Sequence, residues 1–161
     1  MRRLDAPILP PPVRGPDIAL LIVRFLIGGV LFYAGFMKAI APHQEFAAVI
    51  DAYHLVPYSW AEPLSIVMPW LEMWIGTFLF VGYERRFTAS AAAALFAGFL
   101  IFIGSALARH IDLVSCGCFG SDTLSPKHTL VMDSVLFVST LLVAATTRQN
   151  RRLTIDAWID R

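Results

Sequence analysis

The run IALLIVRFLIGGVLFYAGFMKAI, residues 18–40, decides the class of this protein, because its only charges are Arg24 and Lys38. About 20 mostly apolar residues are enough to cross a bilayer. In hydrocarbon every backbone polar group must be satisfied within the segment, so the run predicts a membrane-spanning helix. A signal peptide has an apolar region of only about 7–15 residues. We therefore interpret the run as an uncleaved span, with cleavage near residues 39–41 as the alternative.

Three further apolar runs follow, at about residues 63–82, 87–108 and 129–147. The whole chain is 57% hydrophobic and 16% charged, whereas soluble domains are usually about 45–50% apolar and 25% charged. We therefore predict an all-α integral membrane protein, a bundle of four transmembrane helices over residues 18–147 that contacts the lipid bilayer. The net charge of +1 offers no basic surface for nucleic acid.

A different pattern connects the first two spans at residues 43–54. Phe46, Val49, Ile50 and Tyr53 recur at helical spacing and form one apolar stripe, with polar residues around it. This pattern predicts a short amphipathic helix at the membrane surface. A helix that packs on the bundle instead is the alternative.

Lysine and arginine are distributed unevenly between the connections, and this predicts an orientation. The side that carries both termini has nine of them, whereas the opposite side has only Arg109 and Lys127. Such residues accumulate on the cytoplasmic side. We expect a bacterial inner-membrane protein with a proline-rich cytoplasmic tail (residues 1–17), a cytoplasmic C-terminal tail (148–161) and a periplasmic loop (109–128).

That loop contains the only two cysteines of the chain, Cys116 and Cys118, in the stretch SCGCFGSDT. A disulfide between them needs Cα atoms about 4.4–6.8 Å apart, which demands a tight bend at Gly117. Such a bridge would be strained and easily reduced, and so short a loop gains little stability from closure. The spacing favours a redox pair. A static local disulfide and a reduced, inert pair are the alternatives.

A metal site is a further alternative for this loop. Thiolates of Cys116 and Cys118, with His110, Asp112 or His128, would suit copper(I) or zinc. The spacing is a weaker metal signature than paired C-x-x-C motifs.

Four charged residues fall within the predicted spans: Arg24, Lys38, Glu72 and Asp133. Each would cost about 2.5–3.5 kcal/mol at the bilayer centre without a partner. Counting depth at about 1.5 Å per residue pairs Lys38 with Asp133 and Arg24 with Glu72. These pairs would fix helix register. The functional alternative is that Glu72 or Asp133 relays protons for dithiol oxidation or polarises a bound quinone.

Aromatic residues of the first two spans could wall such a quinone site, namely Trp70, Trp74, Tyr33 and Phe32. Ordinary packing and a membrane-interface belt are the alternative. Small residues on the spans predict close helix packing: Gly28 and Gly35 on the first, and Ala89, Ala93 and Ala97 on the third.

Several motifs in order carry a family resemblance over residues 17–147: RFLIGGVLFYAGFMKAI, then MPWLEMWIG, then ALARHIDLVSCGCFG before the last span. The chain resembles the MauE/DoxX family of small four-span bacterial membrane proteins. The resemblance implies that the protein takes part, with a thioredoxin-like partner, in maturation of a periplasmic, disulfide-rich dehydrogenase subunit, as in methylamine utilisation. DoxX relatives imply a link to quinone.

The resemblance thus implies a membrane redox protein, a thiol–disulfide oxidoreductase, whose Cys116 and Cys118 exchange with a periplasmic thioredoxin-like or cysteine-bearing client. A second dithiol is absent from the sequence, so a partner must supply it. A non-enzymatic membrane subunit or assembly factor with a static bridge, and copper or zinc handling, are the alternative functions.

Overall fold

The computed structural model describes residues 15–83, 85–111 and 126–146, and this part of the chain is helical. Its five helices are α1 (Gly15–Ile40), α2 (His43–Ala52), α3 (Tyr58–Val81), α4 (Arg85–Ala108) and α5 (Pro126–Thr146). All except α2 are long and apolar enough to cross a membrane. The predicted all-α class with four spans is confirmed. Most of the predicted N-terminal tail, all of the predicted C-terminal tail and residues 112–125 lie outside the described residues.

The third helix begins at Tyr58, five residues before the predicted start of that span at residue 63. The predicted bounds followed the apolar run, and the stretch YSWAE just before it is more polar. In the structure Pro63 and Pro69 both lie inside α3, as membrane helices tolerate. The helix ends at Gly82, whose φ of 79° lies in the left-handed region that suits glycine.

The four long helices form a closed ring. α1 packs along α3 and α4 packs along α5, while α3–α4 and α1–α5 contacts join the two pairs. Apolar side chains from all four helices fill the centre: Ile27, Leu31, Leu79, Ala89, Ala92, Phe96 and Val143.

The α1–α3 contact is so close that backbone meets backbone. A Cβ atom at Gly28 would lie 2.9 Å from the carbonyl oxygen of Gly76, and one at Gly35 would lie 2.6 Å from that of Pro69. Only glycine fits such positions. The predicted small-residue face of the first span is confirmed, and on α4 Ala89 is buried likewise.

The short helix α2 turns its apolar stripe toward the bundle. Ile50 and Tyr53 are buried, and Tyr53 packs with Ile103 and Ala106 of α4. Its ring meets that of Phe102 edge to face. The stripe therefore contacts protein, as in the packing alternative, and α2 covers one end of the bundle.

Candidate functional site

Lys38 and Glu72 form an ion pair between α1 and α3. The Lys38 Nζ atom donates to both carboxylate oxygens of Glu72, at 2.6 Å and 2.7 Å. The side chains are 1% and 0% exposed. Two opposite charges so close and so deeply buried satisfy each other where water cannot.

The predicted pairing joined Lys38 to Asp133 and Glu72 to Arg24. It is wrong, because Lys38 pairs with Glu72. The cause is helix register. At 1.5 Å per residue, Gly28 lies about 20 Å from the start of α1, but its contact Gly76 lies about 8 Å from the end of α3. The depth count had treated these ends as level. The offset places Glu72 nearer in depth to Lys38 than to Arg24, and the long Lys38 side chain reaches it.

Aromatic rings surround the Lys38 ammonium. Its Nζ atom lies 5.1 Å from the ring centroid of Phe99 on α4 and 5.4 Å from that of Phe46 on α2. At such distances a cation is attracted to the face of a ring. An ammonium has three N–H donors, and the bonds to Glu72 occupy two of them. Lys38 thereby links α1 to three other helices.

A small apolar cleft with a cavity volume of about 50 Å³ opens beside Lys38. We call it the Lys38 cleft. Its other walls come from α2, α3 and α4. They are Phe46, Ile50, Tyr53, Leu64, Met68, Gly98, Phe99, Phe102 and Ile103.

The aromatic residues predicted to wall a quinone site lie elsewhere. Trp70, Trp74 and Tyr33 are 56%, 59% and 50% exposed, and none of them lines the Lys38 cleft. On spanning helices such exposed faces meet lipid, so these three residues belong to the outer surface. A role for them in a quinone site stays a prediction. The exposure of Trp70 and Trp74 could not be predicted from the sequence, because α3 is apolar nearly all round.

The other two intramembrane charges are also buried. Asp133 on α5 is 3% exposed and Arg24 on α1 is 6% exposed, and the Arg24 guanidinium lies 5.4 Å from the ring centroid of Phe25. A proton-relay role for Asp133 or Glu72 stays a prediction.

Cys116 and Cys118 lie outside the described residues, but both flanks of their segment are described. Ile111 before it and Leu130 after it pack against the same cluster of Tyr53, Ile103 and Ala106. The described residues on both sides of the cysteine segment therefore lie at the end of the bundle that α2 covers.

Two of the residues predicted for the metal alternative, His110 and His128, lie among the described residues. Within the described ranges no three His, Cys, Asp or Glu residues group as a metal site requires. His110 adopts a φ of 53° and His128 is exposed, while Asp112 lies outside the described residues with the cysteines. A cysteine-based site stays a prediction.

Arg109 holds α2 in place, a contact that the sequence did not reveal. Its guanidinium donates to the backbone carbonyl of Tyr53 and, at 3.5 Å, to that of His54. His54 has a φ of 49°, which is uncommon for a residue other than glycine. In the same side chain, Nε donates to the Ser105 carbonyl at 3.2 Å. Arg109 therefore joins the end of α2 to the end of α4.

Comparisons with known proteins agree with this architecture. A family model described as "Methylamine utilisation protein MauE" matches residues 16–146. The methylamine utilization protein MauE of Methylophilus methylotrophus is 29% identical over 106 residues, 66% of this chain and 55% of the relative. That of Methylorubrum extorquens is 31% identical over 104 residues, 65% of this chain and 55% of the relative. The chain thus spans about half the length of these curated relatives. No solved structure matches.

Proposed function

This chain belongs to the MauE family, and from that membership we propose that it is a thiol–disulfide exchange protein of the bacterial inner membrane. Its Cys116 and Cys118 would exchange with a periplasmic thioredoxin-like or cysteine-bearing client during maturation of a periplasmic protein. The printed name of both relatives supports methylamine utilisation, or a pathway like it, as the setting.

The position of the cysteine flanks is the observation that carries this proposal. Ile111 and Leu130 are joined in one cluster with Tyr53, so the segment between them begins and ends at the α2 end of the bundle. The lysine and arginine distribution supports a periplasmic location for that end. Disulfides form and persist in that compartment. The proposal therefore places the exchange between the C-x-C pair and a soluble client in the periplasm.

The chemistry requires only the two sulfurs and a partner disulfide. A thiolate of the pair attacks one sulfur of the client disulfide, forming a mixed disulfide and releasing the other client sulfur as a thiolate. The second cysteine then attacks the mixed disulfide. The client leaves as a dithiol, and a Cys116–Cys118 disulfide forms. The reverse sequence oxidises a client, so the direction depends on the partner's reduction potential.

Trapping of the mixed disulfide tests the proposal. Single variants Cys116→Ala and Cys118→Ala, expressed in the native host, should each be examined on non-reducing gels. The variant that keeps the attacking thiol but lacks the resolving one should accumulate a reductant-sensitive adduct, identifiable by mass spectrometry. The double variant is the matched control and should form none. If an alkylation assay finds the pair fully oxidised in every strain, and neither single variant forms an adduct, the static assembly factor is favoured instead.

A further inference from the structure

We propose that α2 is a movable cover that lifts to let water reach the Lys38–Glu72 ion pair. In the structure α2 is seated and the pair is shielded, with side chains 1% and 0% exposed. Water that reaches the Lys38 Nζ atom also reaches the Glu72 oxygens, which lie 2.6 Å and 2.7 Å from it. Lifting of α2 therefore gives protons a route to a carboxylate that is buried inside the bundle.

The seated α2 fills a notch that the register between α1 and α3 creates. Gly35 lies five residues before the end of α1, whereas its contact Pro69 lies eleven residues after the start of α3. At 1.5 Å per residue, α3 extends about 9 Å beyond α1 on this side of the bundle. Lys38 is two residues from the end of α1, where a lysine usually extends its ammonium to water. The Phe46 ring of α2, whose centroid lies 5.4 Å from Nζ, covers that space instead.

α2 is a short helix that is held mainly by tertiary contacts. It has 10 residues, fewer than the roughly 12–15 that an isolated helix needs to persist in water. Pro42 at its N-cap makes no side-chain cap hydrogen bond, a bond that stabilises the start of many helices. The packing beneath α2 is incomplete, because the Lys38 cleft lies between Ile50 and the walls that come from α3 and α4. The contacts at the ends of α2 therefore decide whether it stays seated.

Arg109, directly after α4, fastens the C-terminal end of α2. Its guanidinium donates to the backbone carbonyls of Tyr53 and His54, and Tyr53 packs with Ile103 and Ala106. The connections on both sides of α2, at residues 41–42 and 53–57, are not helical. Loss of the Arg109 hydrogen bonds therefore frees α2 to move while α1 and α3 stay in place.

The position of this attachment links α2 to the proposed function. Ile111 and Leu130, which flank the cysteine segment, pack in the same cluster as Tyr53. Binding of a client at that segment is expected to loosen the cluster and so to favour lifting, and this step alone rests on the proposed function. The movement of α2 does not depend on the cysteine pair.

Amine labelling tests the proposal, because Lys38 and Lys127 are the only lysines of the chain. The full chain, with both cysteines replaced by alanine, would be placed in lipid nanodiscs and treated with a water-soluble acetylating ester. Mass spectrometry then gives the acetylation rate at each lysine. We expect fast labelling of Lys127, which is exposed, and slow labelling of Lys38. Arg109→Met should raise the Lys38 rate about tenfold and leave the Lys127 rate unchanged.

A matched control separates lifting of α2 from unfolding of the bundle. Leu79→Ala leaves a cavity in the core at the other end of α3, where Leu79 is 2% exposed. It should lower the stability of the bundle but keep Lys38 labelling at the wild-type rate. If Lys38 is labelled as fast in Leu79→Ala as in Arg109→Met, the labelling reports unfolding and the proposal is wrong.

A cross-link provides the opposite test, because it should hold α2 down. The side chains of His43 on α2 and Glu62 on α3 approach to 4.0 Å, so a short bismaleimide can join His43→Cys to Glu62→Cys. Phe46 lies about one turn from His43, so the link restrains the part of α2 that covers Lys38. Cross-linking should slow Lys38 labelling several-fold relative to the same variant without the reagent. An unchanged rate after cross-linking, or equal Lys38 rates in wild type and Arg109→Met, would overturn the proposal.

Discussion

Lys38 and Glu72 depend on each other because neither charge can reach water. Both side chains are essentially buried and lie 2.6 Å apart, and Phe46 and Phe99 close the space around the ammonium. Removing one partner leaves an uncompensated buried charge, whereas removing both leaves none. The single variant therefore measures the free energy lost when one buried charge has no partner. The double variant measures the net contribution of the ion pair to the free energy of unfolding.

We predict that Lys38→Met alone destabilises the bundle by about 3–5 kcal/mol, since it strands the Glu72 carboxylate. The double variant Lys38→Met with Glu72→Leu should recover most of that loss. Unfolding in mixed detergent micelles, followed by circular dichroism, measures both. A double variant no more stable than the single one would show that the pair is not the source of the effect.

At this scale the sequence predicts part of the site. Opposite charges inside apolar spans must find partners, so burial and pairing of Lys38 and Glu72 follow from composition alone. The identity of each partner does not follow from composition, because it depends on the axial register between α1 and α3. The two cation–ring contacts also need the tertiary structure. Phe99 sits in a helix with apolar residues on every face, so no periodicity distinguishes it from its neighbours.

Among the helices, α1 and α3 approach each other closely because glycines lie at their contact. Gly28 and Gly76 each present backbone to the other helix, with a Cβ at Gly76 falling 2.7 Å from the Gly28 carbonyl oxygen. Without a hydrophobic force between helices in lipid, such van der Waals contact is the main attraction. The same contact sets the register that brings Lys38 to Glu72.

We expect Gly28→Ala and Gly35→Ala to destabilise the α1–α3 contact by about 1–3 kcal/mol each, as overpacking does. Gly29→Ala is the matched control. A Cβ there meets only the Phe80 ring, at 3.9 Å, so this substitution should be neutral or slightly stabilising through helix propensity. Unfolding midpoints in micelles compare the three. Equal effects at Gly28 and Gly29 would contradict the close approach.

The attachment of α2 gives a second prediction for an element. Arg109→Met removes the charged donor from the Tyr53 and His54 carbonyls. Hydrogen bonds to charged groups contribute about 1.5–3 kcal/mol, so amide hydrogen exchange in residues 50–57 should become at least about tenfold faster. Arg86→Met, an exposed arginine at the other end of the bundle, should leave that exchange unchanged. Similar rates in both variants would mean that apolar packing alone holds α2.

For the whole molecule, the sequence predicts the number and order of the helices because hydrocarbon admits few alternatives. Four apolar runs of sufficient length leave little choice but four helices, and the stripe from Phe46 to Tyr53 marks α2. The surface that α2 covers could not be predicted, since the same apolar stripe could pack equally well against lipid or against protein. The Lys38 cleft arises where four helices meet, so no single segment encodes it.

The proposed orientation of the bundle, with the cysteine pair in the periplasm, yields the last prediction. In a background with Cys116 and Cys118 replaced by alanine, a cysteine introduced at Gln44 on α2 should react with a membrane-impermeant maleimide added to intact cells. A cysteine introduced at Arg86 should react only after the inner membrane is opened. Both positions are exposed, so accessibility differs only by side. Labelling of Arg86→Cys but not Gln44→Cys in intact cells would reverse the topology and would place the cysteine pair in the cytoplasm, where glutathione keeps thiols reduced.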